Sequence, residues 1–377
     1  MFSHSSTPAT LPGSDVLVVF GYGNLNVIGD IARAQGATRI LLVTDAGIRD
    51  AGHVERAVRS FYRAGLPVRV FDGVIENPTT VQVGKGLFVA REFRPDMIVG
   101  LGGGSSMDCA KGINFLYTNG GRMQDYWGTG KATQPMLPEI AVPTTAGTGS
   151  EAQSYALITD PETHQKMACG DRKALPKIAI LDPELTATQP PKVAAATGID
   201  AVAHAVETAG TTRRNDVSRK LSADAWELLQ SNFETAMRDP SDAPAREKML
   251  LGAHLAGAAI ENSMLGAAHA LANPLTALAG VVHGHAVGMM LPQVVRFNSS
   301  NGQRPYADLN EDPEALARRI ESMLEAGNLP RRFADAGVSP ELLPELAKMA
   351  AKQWTATFNP RKVGEQELAE IYRMAMG

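Results

Sequence analysis

Apolar residues in the first half of the chain fall into short unbroken runs, and between those runs they recur at helical spacing. Val16 to Phe20, Arg39 to Asp45, Val68 to Phe71, Met97 to Val99, Ile140 to Val142, Ala156 to Thr159 and Lys177 to Leu181 predict strands. Val27 to Ala34, Val54 to Ala64, Val81 to Phe93 and Ala110 to Tyr117 predict intervening helices, and Gly21-Tyr22-Gly23-Asn24 predicts a turn. Strands that are apolar throughout and alternate with helices predict a mostly parallel sheet covered on both faces.

Beyond Pro191 the strand signals stop. Helical patterns run through Lys192 to Thr208, Val217 to Met237, Ala245 to Ser263, Leu265 to Ala279, Pro313 to Ala326, Pro340 to Lys352 and Glu365 to Ala375. Prolines from Asp182-Pro183 to Pro190-Pro191 mark the change, which divides the chain into an α/β domain over 1–185 and an all-helical domain over 186–377. With 377 residues, 44% hydrophobic and 20% charged, the chain has the length and composition of an ordinary two-core globular protein. A formal charge of −4 and no dense Lys/Arg block give no electrostatic footprint for nucleic acid or an anionic membrane, so small molecules are the expected partners. Cys109 and Cys169 lack CxxC spacing and read as small buried thiols, and the first fifteen residues show no secretory pattern, so a cytoplasmic location is expected.

Two loops in the first domain carry candidate cofactor-binding chemistry. Gly100-Leu101-Gly102-Gly103-Gly104-Ser105-Ser106-Met107-Asp108 follows an apolar strand and leads into a helix. Its glycines let the backbone approach a pyrophosphate, and the free N–H groups of a helix N-terminus favour the anion; a tight turn without a ligand is the other reading. Pro143-Thr144-Thr145-Ala146-Gly147-Thr148-Gly149-Ser150 ends another strand with small and hydroxyl residues suited to a cofactor crevice, or to a plain loop. Asp45, at a strand end, reads as a helix N-cap or as an acceptor for an adenosine ribose hydroxyl; in the second role it would favour NAD over NADP. These features make the first domain a Rossmann-like dinucleotide-binding candidate.

The second domain carries metal-binding chemistry. Asp200 and His204, four residues apart in an alanine-rich, proline-free run, lie roughly 40° apart around a helix axis. Five of the eight histidines fall between His204 and His285, in apolar surroundings where an unpaired imidazole is costly to bury. Ala267 to Val295 is nearly all apolar apart from His269, Asn273, His283, His285 and Gln293; its histidines and prolines point to a buried helix and turn rather than a membrane span. One carboxylate with several imidazoles suits iron(II) or zinc. His254 reads as a packed residue, His4, His53 and His164 as a loose terminus or surface positions, and Trp127, Trp226 and Trp354 as core.

Gly102-Gly103-Gly104-Ser105-Ser106-x-Asp108, Pro143-Thr144-Thr145-Ala146-Gly147-Thr148, Gly198-Ile199-Asp200-Ala201-x-x-His204-Ala205-x-Glu207, His283-Gly284-x-Ala286 and Asn359-Pro360-Arg361 together resemble the iron-containing (group III) alcohol dehydrogenase family along nearly the whole chain. The resemblance implies a dehydroquinate synthase-like architecture and, commonly, a homodimer or larger homo-oligomer. It places Asp200, His204, His269 and His283 at the metal positions, with iron(II) usual and zinc an alternative. It places Asp45 at the nucleotide-specificity acid, Gly103, Gly104, Ser105 and Asp108 at the pyrophosphate and ribose, and Thr144, Thr145, Thr148 and Lys166 near the nicotinamide. It implies hydride transfer between NAD(H) and a small primary alcohol or aldehyde, in a cleft between the domains, with the metal polarising the substrate oxygen. A related alternative is a non-redox cyclisation that also joins NAD to a metal. Many members have a proton-relaying histidine where this chain has Asn273, whose amide does not exchange a proton near neutral pH. His285, or the cofactor ribose hydroxyl with water, is the expected substitute, and a core position is the other reading of His285.

Overall fold

In the computed structural model, which describes residues 4–163, 165–309 and 312–376, the alternating runs of the first half become ten strands and five helices. In chain order these are β1 (Ala9–Thr10), β2 (Leu17–Phe20), α1 (Ile28–Ala34), β3 (Ile40–Asp45), α2 (Ala46–Asp50), α3 (His53–Arg63), β4 (Val68–Val74), α4 (Thr80–Phe93) and β5 (Met97–Gly102). They continue with α5 (Gly104–Asn119), β6 (Gly128–Thr129), β7 (Glu139–Pro143), β8 (Tyr155–Thr159), β9 (Lys166–Gly170) and β10 (Ile178–Leu181). Seven strands form one sheet in the order β1-β2-β10-β7-β5-β3-β4, parallel at every pair except β1 with β2. Ile40, Leu41, Leu42 and Val43 are all fully buried, as a strand covered on both faces requires. Alternate faces feed two apolar clusters, one around Leu42, Phe61 and Val99, the other around Leu41, Ile98 and Ile113.

The second half is helical throughout its described residues: α6 (Pro191–Gly210), α7 (Asp216–Arg238), α8 (Ala243–Glu261), α9 (Ala267–Ala279), α10 (His283–Ser299), α11 (Pro313–Ala326), α12 (Leu343–Ala350) and α13 (Glu365–Met374). The apolar stretch from Ala267 is broken at Gly280, which closes α9 in the left-handed region at φ 66°. No helix among the described residues is long and apolar enough to cross a membrane. The chain forms two compact units, one comprising the residues up to Thr145 with Ser150–Thr188, the other Ala146–Gly149 with the residues from Gln189 on.

Several local expectations change. The short sheet β6-β9-β8 was not anticipated, because β6 has two residues and β9 lacks an unbroken apolar run. α5 starts at Gly104 rather than Ala110: Ser106 and Met107 are buried, and that packing offsets the poor helix propensity of Gly104-Ser105-Ser106. His53 is buried, not superficial, and its ring meets the Thr188 hydroxyl at 2.8 Å. His4 lies edge-on to Phe20 and Tyr22, which ties the start of the described chain to the end of β2. Trp226 is core, whereas Trp127 and Trp354 are 47% and 43% exposed. Each of these two lies outside the long elements that bury one full face. His164 lies outside the described residues.

Candidate active site

α6 is a 20-residue helix rich in alanine, so its few polar side chains define a face by spacing alone. Asp200, His204 and Glu207 follow each other at helical intervals and are all buried. His269 enters from the first turn of α9, and His283 is the first residue of α10. Asp200 Oδ1 lies 3.5 Å from His204 Nε2, 3.4 Å from His269 Nε2 and 3.7 Å from His283 Nε2. The donor atoms of Asp200, His269 and His283 are all within 4.8 Å of one another. His204 joins them through Asp200 and stacks on His269, with ring centroids 4.9 Å apart.

Burial alone raises the Asp200 carboxyl's pKa, yet the imidazoles of His204, His283 and His269 together outweigh it and hold the group well below the usual carboxylate range. Burial pulls the basicity of His269 down, and Glu207 and Asp200 more than reverse it, to about 9. Burial keeps His204 below its ordinary value against the opposing charge of Asp200. Asp200 Oδ1 and His269 Nε2 are buried with no hydrogen-bond partner among the described residues, although they face each other. A cation fits that arrangement. Bonds of about 2.1 Å in a tetrahedral site separate donor atoms by roughly 3.4 Å, which matches the spacing around Oδ1.

Glu207 orients this set; the sequence shows it at the end of the Asp200–His204 motif but gave it no role. Its Oε2 hydrogen-bonds His269 Nδ1, and its Oε1 accepts the backbone N–H of Ala268 at 2.7 Å. Asn359 accepts the N–H of Ala267 at 3.4 Å and exchanges amide hydrogen bonds with Asn298. Gly266 has no side chain to cap α9, so these distant residues satisfy its first donors and aim His269. Helical spacing of Glu207 from His204 was the available signal. Asn273, one turn beyond His269, donates to Gln353 Oε1 at 3.0 Å. His285, half-buried in the first turn of α10, makes no hydrogen bond or ion pair within the described residues, and burial lowers its pKa. His254 is fully buried in α8.

The nucleotide candidates lie at the carboxyl ends of β3, β5 and β7, where ligands of parallel sheets bind. Gly102 holds φ at 147°, and a Cβ there would meet Ser106 Oγ at 2.6 Å. Gly103 caps α5, and Gly104 and Ser105 open it. Ser105 Oγ accepts the Asn77 N–H at 3.3 Å. Asp45 is an N-cap: Oδ1 accepts the Ile48 N–H at 3.1 Å, and Oδ2 accepts the Ser106 hydroxyl at 3.0 Å. The remaining lone pairs on these oxygens can still accept a ribose hydroxyl. Thr144 donates its N–H to the Gly102 carbonyl at 3.0 Å, and Thr145 Oγ1 is buried near Gly103 with no hydrogen-bond partner among the described residues. Thr148 lies within Ala146–Gly149, and Lys166 is exposed at the start of β9, opposite Thr159.

Asp108, expected at the pyrophosphate or ribose, has its carboxylate turned into the protein. It is 8% exposed, and both its oxygens are engaged: Oδ1 accepts the Ser150 hydroxyl at 2.6 Å and Oδ2 the Leu157 N–H at 3.2 Å. Its position inside α5, a full turn past the glycines, turns the side chain into the packing.

The parallel-sheet unit and the carboxylate–imidazole cluster define a class. Residues 16–183 match the family described as iron-containing alcohol dehydrogenase, and residues 194–376 match the C-terminal part of the Fe-containing alcohol dehydrogenase family. The chain belongs to this family and is an oxidoreductase of the alcohol dehydrogenase class. Among its relatives, the 1,3-propanediol dehydrogenase of Citrobacter freundii is 37% identical over 371 residues, covering 94% of this chain and 96% of the relative. The NAD-dependent methanol dehydrogenase of Bacillus methanolicus is 33% identical, covering 95% and 97%. A crystal structure of a 1,3-propanediol oxidoreductase superposes with a TM-score of 0.92 at 36% identity, covering 95% of this chain and 97% of the other. None of these relatives carries the name of a cyclase, so the non-redox alternative finds no support.

Proposed function

We propose that this protein is an NAD(H)- and divalent metal-dependent oxidoreductase that interconverts a small primary alcohol and its aldehyde. The observation that carries the reading is the meeting of Asp200 Oδ1 with three imidazole Nε2 atoms at 3.4 to 3.7 Å. Asp200, His204, His269 and His283 would hold the metal; the family description supports iron, with zinc the alternative that the same donors suit. When bound, the metal polarises the substrate oxygen and the nicotinamide exchanges hydride with the carbon that bears it.

The chain's own residues prepare that step. Glu207 holds the Nδ1 side of His269, which would leave Nε2 to the metal once metal binding displaces its proton. Burial of Asp200, His204 and His269 excludes water from the donors. On the nucleotide side, Gly103, Gly104 and Ser105 offer the N-terminus of α5 to the pyrophosphate. Asp45 accepts a ribose hydroxyl and repels a 2′-phosphate, which favours NAD, and the relative named as NAD-dependent supports that choice. Thr144, Thr145, Thr148 and Lys166 complete the nicotinamide side. The names of the relatives support a short-chain primary alcohol as substrate.

The test is metal analysis of anaerobically purified protein with NADH oxidation by a panel of short aldehydes. About one iron or zinc per chain is expected, with turnover lost on chelation and restored by adding the metal back. Metal-free protein with undiminished turnover would sink the reading.

The alcohol proton needs a route that Asn273 cannot supply, because its amide neither titrates near neutral pH nor is free of Gln353. His285, or the cofactor ribose hydroxyl with water, completes the relay. His285→Ala is expected to lower kcat by about a hundredfold and to alter the pH–rate profile. Full turnover with an unchanged profile excludes His285 and leaves the ribose route.

A further inference from the structure

Two charged side chains of α5 are buried where a dinucleotide-binding helix has no general need of them. Lys111 is completely inaccessible to solvent. Its Nζ donates to the Ser150 carbonyl at 2.7 Å, the Ser150 hydroxyl at 2.8 Å and the Tyr155 carbonyl at 3.0 Å, which uses all three of its protons. Asp108, 3.9 Å from Lys111, accepts hydrogen bonds from the Ser150 hydroxyl and the Leu157 N–H. The pair therefore grips one stretch of chain, from Ser150 into β8. That stretch is the rear end of the loop that carries Thr144 and Thr145. The front end is tied to the same strand–turn–helix, through the Thr144 N–H on the Gly102 carbonyl. Thr145 then faces Gly103: a Cβ on that glycine would lie 3.5 Å from the threonine side chain.

A buried ion pair is a poor way to add stability, since well-packed apolar residues do as well or better; what it supplies is a unique geometry. Apolar side chains could fill the space beside β8, but they could not specify which carbonyl and hydroxyl of residue 150 face α5. We infer that Lys111 and Asp108 are positioning residues that act through Ser150 to hold the threonine loop against the glycine turn, and so set coenzyme affinity. This rests on the reading of the glycine turn as the pyrophosphate site. It also gives a role to Asp108, which sits in the glycine-turn motif yet is buried with its oxygens on Ser150 and Leu157.

Ser150→Ala removes the hydroxyl that both charges share, while leaving the carbonyl on Lys111. The expected result is a Kd for NADH raised about tenfold, with a matching rise in the KM for NADH. Metal content, the KM for aldehyde and kcat at saturating NADH stay within about twofold of the unmodified protein. Lys111→Met is expected to raise the NADH Kd further. If that variant does not fold, Ser150→Ala carries the decision. An unchanged NADH Kd in Ser150→Ala, with only a lower Tm, would overturn the inference and make the pair a packing device. Unmodified protein that binds neither NADH nor NADPH would remove the coenzyme reading and this inference with it, so the two failures are distinguishable.

Discussion

Replacing Asp200 by alanine is expected to empty the site of its divalent metal and to lower aldehyde reduction by at least about a thousandfold, some 4 kcal/mol of transition-state stabilisation. Among the described residues Asp200 is the one carboxylate that all three imidazoles face, so its removal would take away both the proposed negative ligand and the charge that would neutralise the cation. The helix itself should survive, because alanine is the strongest helix former and α6 is already rich in it. His269 keeps its hydrogen bond to Glu207 in the variant, so no buried imidazolium is left wholly unpaired. Metal analysis, circular dichroism and turnover on the same preparation separate the outcomes. A folded variant that retained one metal and normal turnover would place the chemistry elsewhere.

Gly284→Ala is expected to be as damaging through packing. A Cβ at this position would lie 1.9 Å from the Ala196 carbonyl oxygen and 2.6 Å from its carbon, so it meets backbone and not a movable side chain. In an α-helix the carbonyl of residue 196 receives the N–H of residue 200, so the intrusion falls on the turn that presents Asp200. The start of α10 must move off α6, and His283 moves with it. A loss of about 3 kcal/mol is expected, at the upper end of overpacking effects, with metal occupancy falling in parallel. Thermal unfolding and metal content check this together. A wild-type Tm with full metal would show that the two helices can part without cost.

The structure is particular about what lies next to the metal candidates. Glu207 spends one oxygen on His269 and the other on the first turn of α9. The acid that orients His269 therefore also caps the helix that carries it, which couples the aim of His269 to the seating of α9. Asn359 and Asn298 extend that network, and Asn359 is part of the closing Asn359-Pro360-Arg361 motif whose role the sequence left open.

The chain's alternation of apolar runs and helical periods was enough to determine a parallel α/β unit followed by a helical one, because local spacing selects strand or helix. Spacing within one helix likewise placed Asp200 and His204 on a common face. The glycine turn was legible for the same local reason: only glycine reaches the backbone angle at Gly102, and a strand precedes it. Only tertiary structure decided which side chains meet. Glu207 and His269 are 62 residues apart, and Lys111 is 39 from Ser150, distances over which periodicity says nothing. It also decided that Asp108 turns inward while Asp45 both caps α2 and accepts from Ser106, since burial and competing donors fix a carboxylate's role. Sequence named the chemistry through residue types at helical intervals. Packing chose their partners, because a hydrogen bond is made by position in space and not by position in the chain.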